Sequence, residues 1–499
     1  MNATDGAEHE AFAASQALFD TVVEFLDGVT AAGMEHAELE DRLQDRSRQL
    51  FCQLFQDHLD RRARREQRLD EVTDVDGVGR PNVEAAHRRG LTTVFGPVEV
   101  ERLAYRFPGR ANLHPADAAL NLPVERHSHG LRRLAAIEAS RGSFDATVEA
   151  IERSTAQAVG KRQVETLVRR AAADVDAFYA AINRPPVPDH VLVVSVDGKG
   201  IVMRADSLRP ATARAAANTT TKLKTRLSKG EQSNRKRIAE VGAVYDLEPV
   251  PRHPADVLAS KAGRCVPPAP TATTKWVTAS VANNTAHVVG AIFDEADRRD
   301  PLRERRWLAL VDGNQHQIDC IAAQAADRDH DVAVVVDFIH VLEYLWNAAW
   351  CFFKEGDANA EDWVHDRALA VLSGQATEVA SGIRRRATTN HLSRSKRRKA
   401  DLCANYLTNK AAYLDYPAAL AAGWPIATGV IEGACRHLVK DRMDITGARW
   451  GLDGAEAVLK LRAIRSNSDF DAYWQFHLRQ ERRRVHESRY TDNQLPTAA

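Results

Sequence analysis

The chain has 499 residues, and its 68 Lys and Arg residues balance its 68 Asp and Glu residues. This length has room for about two to four domains, and with no net charge, binding of a polyanion must depend on local basic patches. The six cysteines include no Cys-x-x-Cys pair, which argues against a zinc ribbon and a disulfide framework. No apolar run reaches membrane-spanning length. We therefore expect a cytoplasmic protein without a membrane partner.

The N-terminal third is predicted to be mainly helical. Apolar residues recur at helical spacing in residues 1–70, which we assign as an N-terminal helical region. Residues 71–182 form a second predicted region: a loop at 71–87, a hairpin over 90–106 that turns at Gly96-Pro97, and helices over 129–181.

Two of these helices have the pattern of a helix-turn-helix, the first capped by Ser143. The second begins with basic and amide side chains, while Val164, Leu167 and Val168 are predicted to pack inward. The candidate DNA contacts here are Lys161, Arg162, Gln163 and Arg169. An ordinary helical hairpin is the alternative.

The stretch 190–203, HVLVVSVDGKGIVM, follows a Pro-rich linker at 183–188 that includes Pro186 and Pro188. It predicts a strand, an Asp-Gly turn and a second strand, with Asp197 at the strand end and Lys199 beside it. Asp197 as a simple turn residue is the alternative. The following loop, 204–237, is strongly basic (it includes Lys222, Lys224, Arg226 and Lys229) and is either solvated or ordered by a phosphate backbone.

Two further aspartates follow apolar runs. Strands are predicted over 238–245, 275–281 and 332–336, and helices over 301–309 and 315–326. Asp312 follows the apolar run 308–311, and Asp337 follows the strand 332–336. In an open sheet such strand ends meet at one rim, where ligands bind. We expect Asp197, Asp312 and Asp337 to meet there, although three independent turn aspartates remain an alternative.

The last part of the chain returns to helix. Residues 342–425 are predicted to be helical with one basic face, and Thr428 can cap the helix that carries Glu432, Arg436 and Lys440. Residues 482–484 are predicted to lie in a frayed tail. Aspartate and glutamate oxygens are ligands for Mg²⁺ or Mn²⁺, and two such ions can support phosphoryl transfer.

Four phrases occur in the order VVSVDGKGIVMR, VDGNQHQ, VVVDFIHVLEYLW and GVIEGACRHLVKDRMDITGARW. Together they resemble the ISKra-type group of DDE transposases from bacterial insertion sequences, closely over about 190–465 and more loosely before that. The resemblance implies an α/β fold with an RNase H-like mixed sheet flanked by helices. Its first part would be 190–340 and its last part 426–466, separated by an all-helical insertion at 341–425 and followed by a C-terminal helix and tail at 467–499.

The resemblance also implies the site residues. Asp197, Asp312 and Glu432 would be the catalytic, metal-binding acids, and Asp337 and His340 would match an Asp-x-x-His element. Asp337 is the alternative second acid; Asp312 is preferred because a helix and a strand then separate it from the insertion. The further candidate DNA contacts are Lys199, Arg436, Lys440, Arg449 and Trp450. For Trp450, stacking on an unpaired base competes with core packing.

The implied function is Mg²⁺-dependent cleavage and strand transfer of double-stranded DNA, with Mn²⁺ as a possible substitute. The protein would bind terminal inverted repeats and target DNA as a homodimer or higher homo-oligomer, associated with the nucleoid when bound. The alternatives are an RNase H-like nuclease that hydrolyses without joining, and a non-catalytic DNA-binding protein derived from a transposase.

Overall fold

The computed structural model describes residues 11–185, 187, 190–219, 223, 228, 234–258, 267–445 and 447–496. The predicted basic residues Lys222, Lys224, Arg226 and Lys229 and the linker prolines Pro186 and Pro188 lie outside the described residues. Within the described residues, no helix is both long enough and apolar enough to cross a membrane.

The first half of the chain contains eight α-helices and three strands among the described residues up to 202. In order they are α1 (Ala13–Asp27), α2 (Val29–Ala32), α3 (His36–Arg65), β1 (Asn82–Thr92), β2 (Pro97–Arg106), α4 (Pro115–Ala119), α5 (His129–Arg141), α6 (Phe144–Thr155), α7 (Lys161–Ala171), α8 (Val175–Ala181) and β3 (Val191–Val202).

The remaining elements follow in chain order. They are α9 (Pro210–Ala217), β4 (Lys236–Leu247), α10 (Pro254–Leu258), β5 (Ala272–Ser280), α11 (Thr285–Arg299), β6 (Trp307–Val311), α12 (Gln315–Asp327), β7 (Val332–Val336), α13 (Phe338–Ala349), α14 (Ala358–Leu372), α15 (Ala376–Thr389), α16 (Arg398–Asn409), α17 (Tyr416–Ala421), α18 (Gly429–Ala434), a π-helical segment (Cys435–Lys440), α19 (Asp441–Met443), α20 (Leu452–Ser466) and α21 (Phe470–Val485).

The chain divides into two compact units. The first unit consists of Met1–Phe178 together with Phe470–Ala499, and the second consists of Tyr179–Asp469. The first unit is mainly helical and holds the antiparallel pair β1–β2. The predicted hairpin at Gly96-Pro97 is confirmed. The predicted loop over 71–87 is wrong from Asn82 onward, because Asn82 already pairs with Arg106.

The C-terminal helix α21 is part of the core of the first unit. Tyr473 and His477 have no exposed surface, and the Tyr473 hydroxyl donates to the carbonyl oxygen of Ala171 at 2.5 Å. The prediction of a frayed tail at residues 482–484 is therefore wrong. Arg482, Arg483 and Arg484 are exposed, as their composition suggested, but they lie in the last turn of α21. Arg484 donates to both carboxylate oxygens of Asp174 at 2.9 and 3.1 Å.

A buried ion network accompanies this helix. Arg132 is fully buried and donates to Glu481 at 3.0 Å and to Glu125 at 2.5 Å. Its other guanidinium nitrogen lies 3.1 Å from His477 Nε2, and His477 Nδ1 lies 2.7 Å from Asp174. A buried arginine without such partners would be strongly destabilising. The network therefore fixes helix α21 in the first unit.

The second unit is a mixed α/β structure built on a five-stranded sheet. The strand order is β5-β4-β3-β6-β7. Strands β3, β4 and β5 are antiparallel neighbours, whereas β6 and β7 run parallel to β3. The first six residues of β3 and all of β6 are buried, as expected for strands covered on both faces. The predicted strands over 238–245, 275–281 and 332–336 are confirmed.

The predicted hairpin within 190–203 is wrong. Residues Val191–Val202 form one continuous strand, and Val191 through Val202 pair without a break with Leu247 through Lys236 of β4. Pairing along the whole length of β4 outweighs the local turn preference of Asp197-Gly198. Asp197 therefore lies within a strand rather than in a turn. Glycine at position 198 avoids a clash with β4, because a Cβ at Gly198 would lie 2.8 Å from the side chain of Ile238.

The helix predicted over 301–309 is also wrong. The helix in this region is α11, which begins at Thr285 and ends at Arg299, and residues from Trp307 form the central strand β6. Asn284 caps α11 by accepting a hydrogen bond from the amide of His287 at 3.0 Å.

The predicted helix over 315–326 is confirmed as α12, and residues 342–425 contain no strand among their described elements, which are α13 to α17.

Candidate active site

Three aspartates occupy matching positions on neighbouring parallel strands: Asp197, Asp312 and Asp337. The ladder between β3 and β6 aligns Val194 with Ala309, and Asp197 and Asp312 come three residues further along each strand. The ladder between β6 and β7 aligns Val311 with Val336, and the next residue on each strand is an aspartate. Neighbouring strands lie about 4.8 Å apart. Asp312 and Asp337 therefore lie side by side where β6 and β7 end, and Asp197 lies within β3, as many residues beyond the last β3–β6 pair as Asp312.

One hydroxyl group joins Asp337 to Glu432. Asp337 has no exposed surface, and its Oδ1 accepts a hydrogen bond from the amide of Ile339 at 2.9 Å. Thr428 Oγ1 lies 2.6 Å from Asp337 Oδ2 and 3.1 Å from Glu432 Oε1. Thr428 is the N-cap residue of α18, as predicted, but its side chain does not bond to the helix amides. It links the end of β7 to the helix that carries Glu432.

The helical segment that carries Glu432 also bonds to Asp197 on β3. The thiol of Cys435 donates to Asp197 Oδ2 at 3.3 Å, and Asp197 Oδ1 accepts a hydrogen bond from the amide of Gly198 at 2.6 Å. Cys435 lies three residues after Glu432 and begins the π-helical segment. Such segments are rare and are frequent at functional sites. The helix from Gly429 onward therefore contacts the strand that carries the first aspartate.

Asp312 faces His340 and Tyr406. Its Oδ1 accepts a hydrogen bond from the amide of Asn314 at 2.8 Å, and its Oδ2 lies 4.0 Å from His340 Nε2. The hydroxyl of Tyr406, on α16, donates to the Asp312 carbonyl oxygen at 3.0 Å. Gly313 has φ +91°, and a Cβ there would lie 2.7 Å from the Tyr406 hydroxyl. Glycine is thus needed for α16 to approach the end of β6.

Negative charge accumulates at this end of the sheet. Burial raises the pKa of Asp337 above its ordinary value, and the Glu432 carboxylate raises it further. Burial also raises the pKa of Glu240, on β4, and the charge of Asp197 adds to that effect. Carboxylates that raise one another's pKa in this way are stabilised by a cation.

The donor chemistry fits a hard divalent cation. Carboxylate oxygens are the ligands that Mg²⁺ and Mn²⁺ prefer, and Asp312 and Glu432 both reach solvent. Among the residues that the structure describes, no three His, Cys, Asp or Glu side chains are close enough together to hold a metal ion as they stand.

Four of the five predicted DNA contacts in this unit are exposed: Lys199, Arg436, Lys440 and Arg449. Trp450 is only 5% exposed, its indole N–H donates to the carbonyl oxygen of Met443 at 3.0 Å, and the Arg442 guanidinium lies 4.6 Å from its ring centroid. The prediction that Trp450 stacks on a base is therefore wrong, and its alternative, core packing, is confirmed.

In the first unit, helices α6 and α7 form a helical pair that also packs on α5. Ser143 caps α6 as predicted, accepting a hydrogen bond from the amide of Ala146 at 3.0 Å. The inward-facing residues of α7 are buried: Val164, Leu167 and Val168. Its candidate DNA contacts are exposed: Lys161, Arg162, Gln163 and Arg169. Lys161 lies 2.7 Å from Asp145, and Gln163 accepts a hydrogen bond from the amide of Gly160 at 3.0 Å.

No model of a known protein family matches the chain. A search among curated proteins likewise found no match. The function must therefore be argued from the site itself.

Sequence reasoning missed the side chains that hold the acids. Thr428 and Cys435 stand four residues before and three residues after Glu432, a spacing that places side chains on one helix face and could have identified them. No comparable signal identifies Tyr406, because its contact with Asp312 joins residues 94 positions apart.

Proposed function

We propose that the protein is a transposase that cleaves and joins DNA strands in a Mg²⁺-dependent reaction. The observation that carries the proposal is that Asp197, on β3, and Asp312, directly after the parallel strand β6, each stand three residues beyond the paired residues Val194 and Ala309. Glu432 lies on the helical segment whose Cys435 bonds to Asp197. This arrangement would suit a DDE site in an RNase H-like domain. The strand order, three antiparallel strands followed by two parallel ones, supports the same fold.

The preferred acids are Asp197, Asp312 and Glu432. Asp312 and Glu432 reach solvent, whereas Asp337 is fully buried and accepts hydrogen bonds from Thr428 and Ile339. Exposure favours Asp312 over Asp337 as the group that meets a cation and a phosphate. Asp337 would instead stabilise the site indirectly, because its hydrogen bond to Thr428 holds the helix that carries Glu432.

Each residue has a distinct role in this proposal. Asp197, Asp312 and Glu432 would hold Mg²⁺, or Mn²⁺ in its place, which supplies activation of the attacking oxygen and stabilisation of the leaving oxygen. Cys435 orients the Asp197 carboxylate. His340, 36% exposed and 4.0 Å from Asp312, would orient that carboxylate. Lys199, Arg436, Lys440 and Arg449 add positive charge for a DNA phosphate backbone.

DNA-end recognition is assigned to the first unit. Arg162 and Arg169 stand seven residues apart on α7 and share one exposed helix face with Thr166. The packing of α5, α6 and α7 suits a three-helix DNA-binding module, and we propose that it binds terminal inverted repeats. Two DNA ends must react together, so a homodimer or higher homo-oligomer is part of the proposal.

The test uses duplexes that carry the DNA flanking the protein's own gene. Wild type, Asp197→Asn, Asp312→Asn and Glu432→Gln are incubated with them in Mg²⁺ and in EDTA, and nicked and joined products are separated on denaturing gels. We expect wild type alone to nick and join, only with Mg²⁺, while the variants retain binding. Nicking without joining would identify a nuclease, and binding without nicking would identify a non-catalytic DNA-binding protein.

A further inference from the structure

A strongly basic segment of the second unit runs from within α15 to the first turn of α16. Residues 381–399 contain eight Lys and Arg residues and no Asp or Glu, although the chain as a whole has 68 of each sign. The basic residues are Arg384, Arg385, Arg386, Arg394, Lys396, Arg397, Arg398 and Lys399. The zero net charge of the whole chain therefore gives no indication of this basic segment.

Part of this charge surrounds an open groove of about 750 Å³. We call it the basic groove; its lining includes Ser393, Arg394, Ser395, Arg398, Leu402 and Asn405. Arg394 and Arg398 are exposed. The acid in the groove, Asp401, is neutralised by Arg397, whose Nε lies 2.9 Å from its Oδ2 and whose Nη2 lies 3.0 Å from its Oδ1.

Other basic side chains of the segment are fixed nearby. Arg384 donates to Asn405 Oδ1 at 2.8 Å, so a third guanidinium lies beside the groove. Lys399 donates to Asn347 Oδ1, on α13, at 3.0 Å. These bonds hold cations in place without placing a carboxylate against them. The groove therefore offers arginine, serine hydroxyl and amide groups, the side chains that contact DNA phosphates.

Helix α16 connects the groove to the acids. Arg398, Leu402 and Asn405 are spaced to share one face of α16, and Tyr406 follows directly. Tyr406 bonds to the Asp312 carbonyl oxygen and stacks on Tyr344, with ring centroids 4.1 Å apart and planes inclined by 18°. Eight residues separate Arg398 from Tyr406, a distance of about 12 Å along the helix. At about 3.4 Å per nucleotide, this corresponds to about three to four nucleotides.

We propose that the basic groove binds the phosphodiester backbone of DNA about three to four nucleotides from the phosphate that reacts at Asp312. This inference rests on the proposed function and adds a second contact to the same DNA. It assigns a role to the basic segment of the helical region, which the catalytic acids do not require. Its function would be to hold the cleaved strand in line, and the contact would be independent of base sequence.

The first test measures affinity without catalysis. Full-length wild type and Arg394→Glu/Arg398→Glu are titrated, in EDTA, with a fluorescent duplex of random sequence and with the corresponding single strand, at several salt concentrations. Each lost phosphate contact lowers the slope of log affinity against log salt by about 0.9 for duplex and about 0.7 for single strands. We expect a slope reduced by about 2 for duplex, or about 1.4 for single strand, and at least about tenfold weaker binding at low salt.

A matched control changes the same charge elsewhere in the unit. Lys275→Glu/Arg306→Glu makes the same change in net charge, at β5 and at the opposite end of β6, and should alter the slope by much less. The milder Arg394→Gln/Arg398→Gln pair is tested as well, so that misfolding of the reversal variant does not decide the outcome. Equal slopes for wild type and both groove variants would overturn the proposal.

The second test locates the contact. Neutral methylphosphonate linkages are placed one at a time along a duplex that carries the flanking DNA and whose nicking site has been mapped, and affinity is measured for wild type and the glutamine pair. Linkages about three to four nucleotides from the reacting phosphate should weaken wild-type binding several-fold but leave the variant unchanged. An effect that is equal in both proteins would contradict the assignment. Failure of the proposed function is distinguishable, because it appears as loss of Mg²⁺-dependent nicking while the salt slopes still report on the groove.

Discussion

Asp197 and Asp312 stand three residues beyond Val194 and Ala309, which are partners in the parallel ladder between β3 and β6. Asp197 lies within β3 and Asp312 directly follows β6, so a cation held between them would be positioned by residues anchored to the sheet. We expect Asp197→Asn and Asp312→Asn each to lower the Mg²⁺-dependent nicking rate by more than about a hundredfold, since even groups beyond the metal ligands cost about 10–100-fold. Single-turnover nicking measures this.

Asp337 gives the matched comparison. Asp337→Asn keeps the size of the side chain but weakens the bond to Thr428, so we expect a smaller loss of nicking, about 10–100-fold, together with a lower melting temperature. A larger loss in Asp337→Asn than in Asp312→Asn would make Asp337 the second acid.

Thr428 should matter through its hydroxyl alone. Thr428→Val keeps the shape of the side chain but leaves Asp337 Oδ2 without its donor, and an unsatisfied buried polar group costs about 1–3 kcal/mol. We expect lower stability in urea unfolding and slower nicking. Thr428→Ser retains the hydroxyl and should behave nearly as wild type. Equal behaviour of the valine and serine variants would show that the contact contributes nothing.

Cys435 is expected to act by orienting Asp197. Cys435→Ala removes the donor to Asp197 Oδ2 and should lower nicking about tenfold or more, while Cys435→Ser, which still donates, retains most activity. The titration is run over a range of Mg²⁺ concentrations. A positioning role predicts that the alanine variant needs more Mg²⁺ for half-maximal rate; a purely structural role predicts only a lower melting temperature.

The buried network of the first unit should make its stability depend on acid pH. Burial raises the pKa of Glu481, but Arg132 and Arg484 outweigh it and lower the pKa to about 2. A carboxyl group with a lowered pKa in the folded state stabilises the protein above its unfolded pKa, about 4.3 for glutamate, and this contribution is lost as pH falls towards about 2. Glu481→Gln should cost about 3–5 kcal/mol at neutral pH, and the difference from wild type should shrink below about pH 4.

Urea unfolding at a series of pH values checks this. Asp471→Asn is the control, because Asp471 is 85% exposed and pairs with Arg133 at the surface; such pairs contribute about 0–1 kcal/mol. A Glu481→Gln effect that does not change with pH would contradict the network's charged state.

Gly313 tests the approach of α16 to β6. Gly313→Ala places a Cβ 2.7 Å from the Tyr406 hydroxyl at φ +91°, so we expect a loss of about 1–3 kcal/mol and slower nicking. Gly454→Ala, in the helix α20 with no neighbouring atom within 4 Å of the new Cβ, should instead stabilise by about 0.5–1 kcal/mol. Thermal unfolding compares the two variants.

The sequence predicted the positions of the acids better than the local structure around them. Apolar runs identified β6 and β7, since a strand buried on both faces needs such residues. The Asp197-Gly198 pair led to a wrong turn prediction. Turn preference is a local signal, whereas the pairing of β3 with β4 joins residues that are distant in sequence. Helix α11 (Thr285–Arg299) was not predicted.

The supporting contacts show a second limit. The acids recur after apolar runs, which is visible in sequence, but the bonds of Tyr406 and Thr428 join elements about ninety residues apart. The end of helix α21 was misjudged for a related reason. Arg482, Arg483 and Arg484 are exposed, as composition suggested, but only the folded chain shows that Arg484 bonds to Asp174 and that Glu481 bonds to the buried Arg132.

The division of the chain also has a consequence for its synthesis. Because Phe470–Ala499 belongs with Met1–Phe178, the ribosome completes all of Tyr179–Asp469 before it delivers the helix that closes the first unit. Until Tyr473 and His477 emerge, the nascent first unit exposes apolar surface and the buried Arg132 lacks two of its partners. A premature stop shortly before residue 470 would thus leave the chain of the sheet complete but deprive the earliest-made part of the protein of the helix that completes its core.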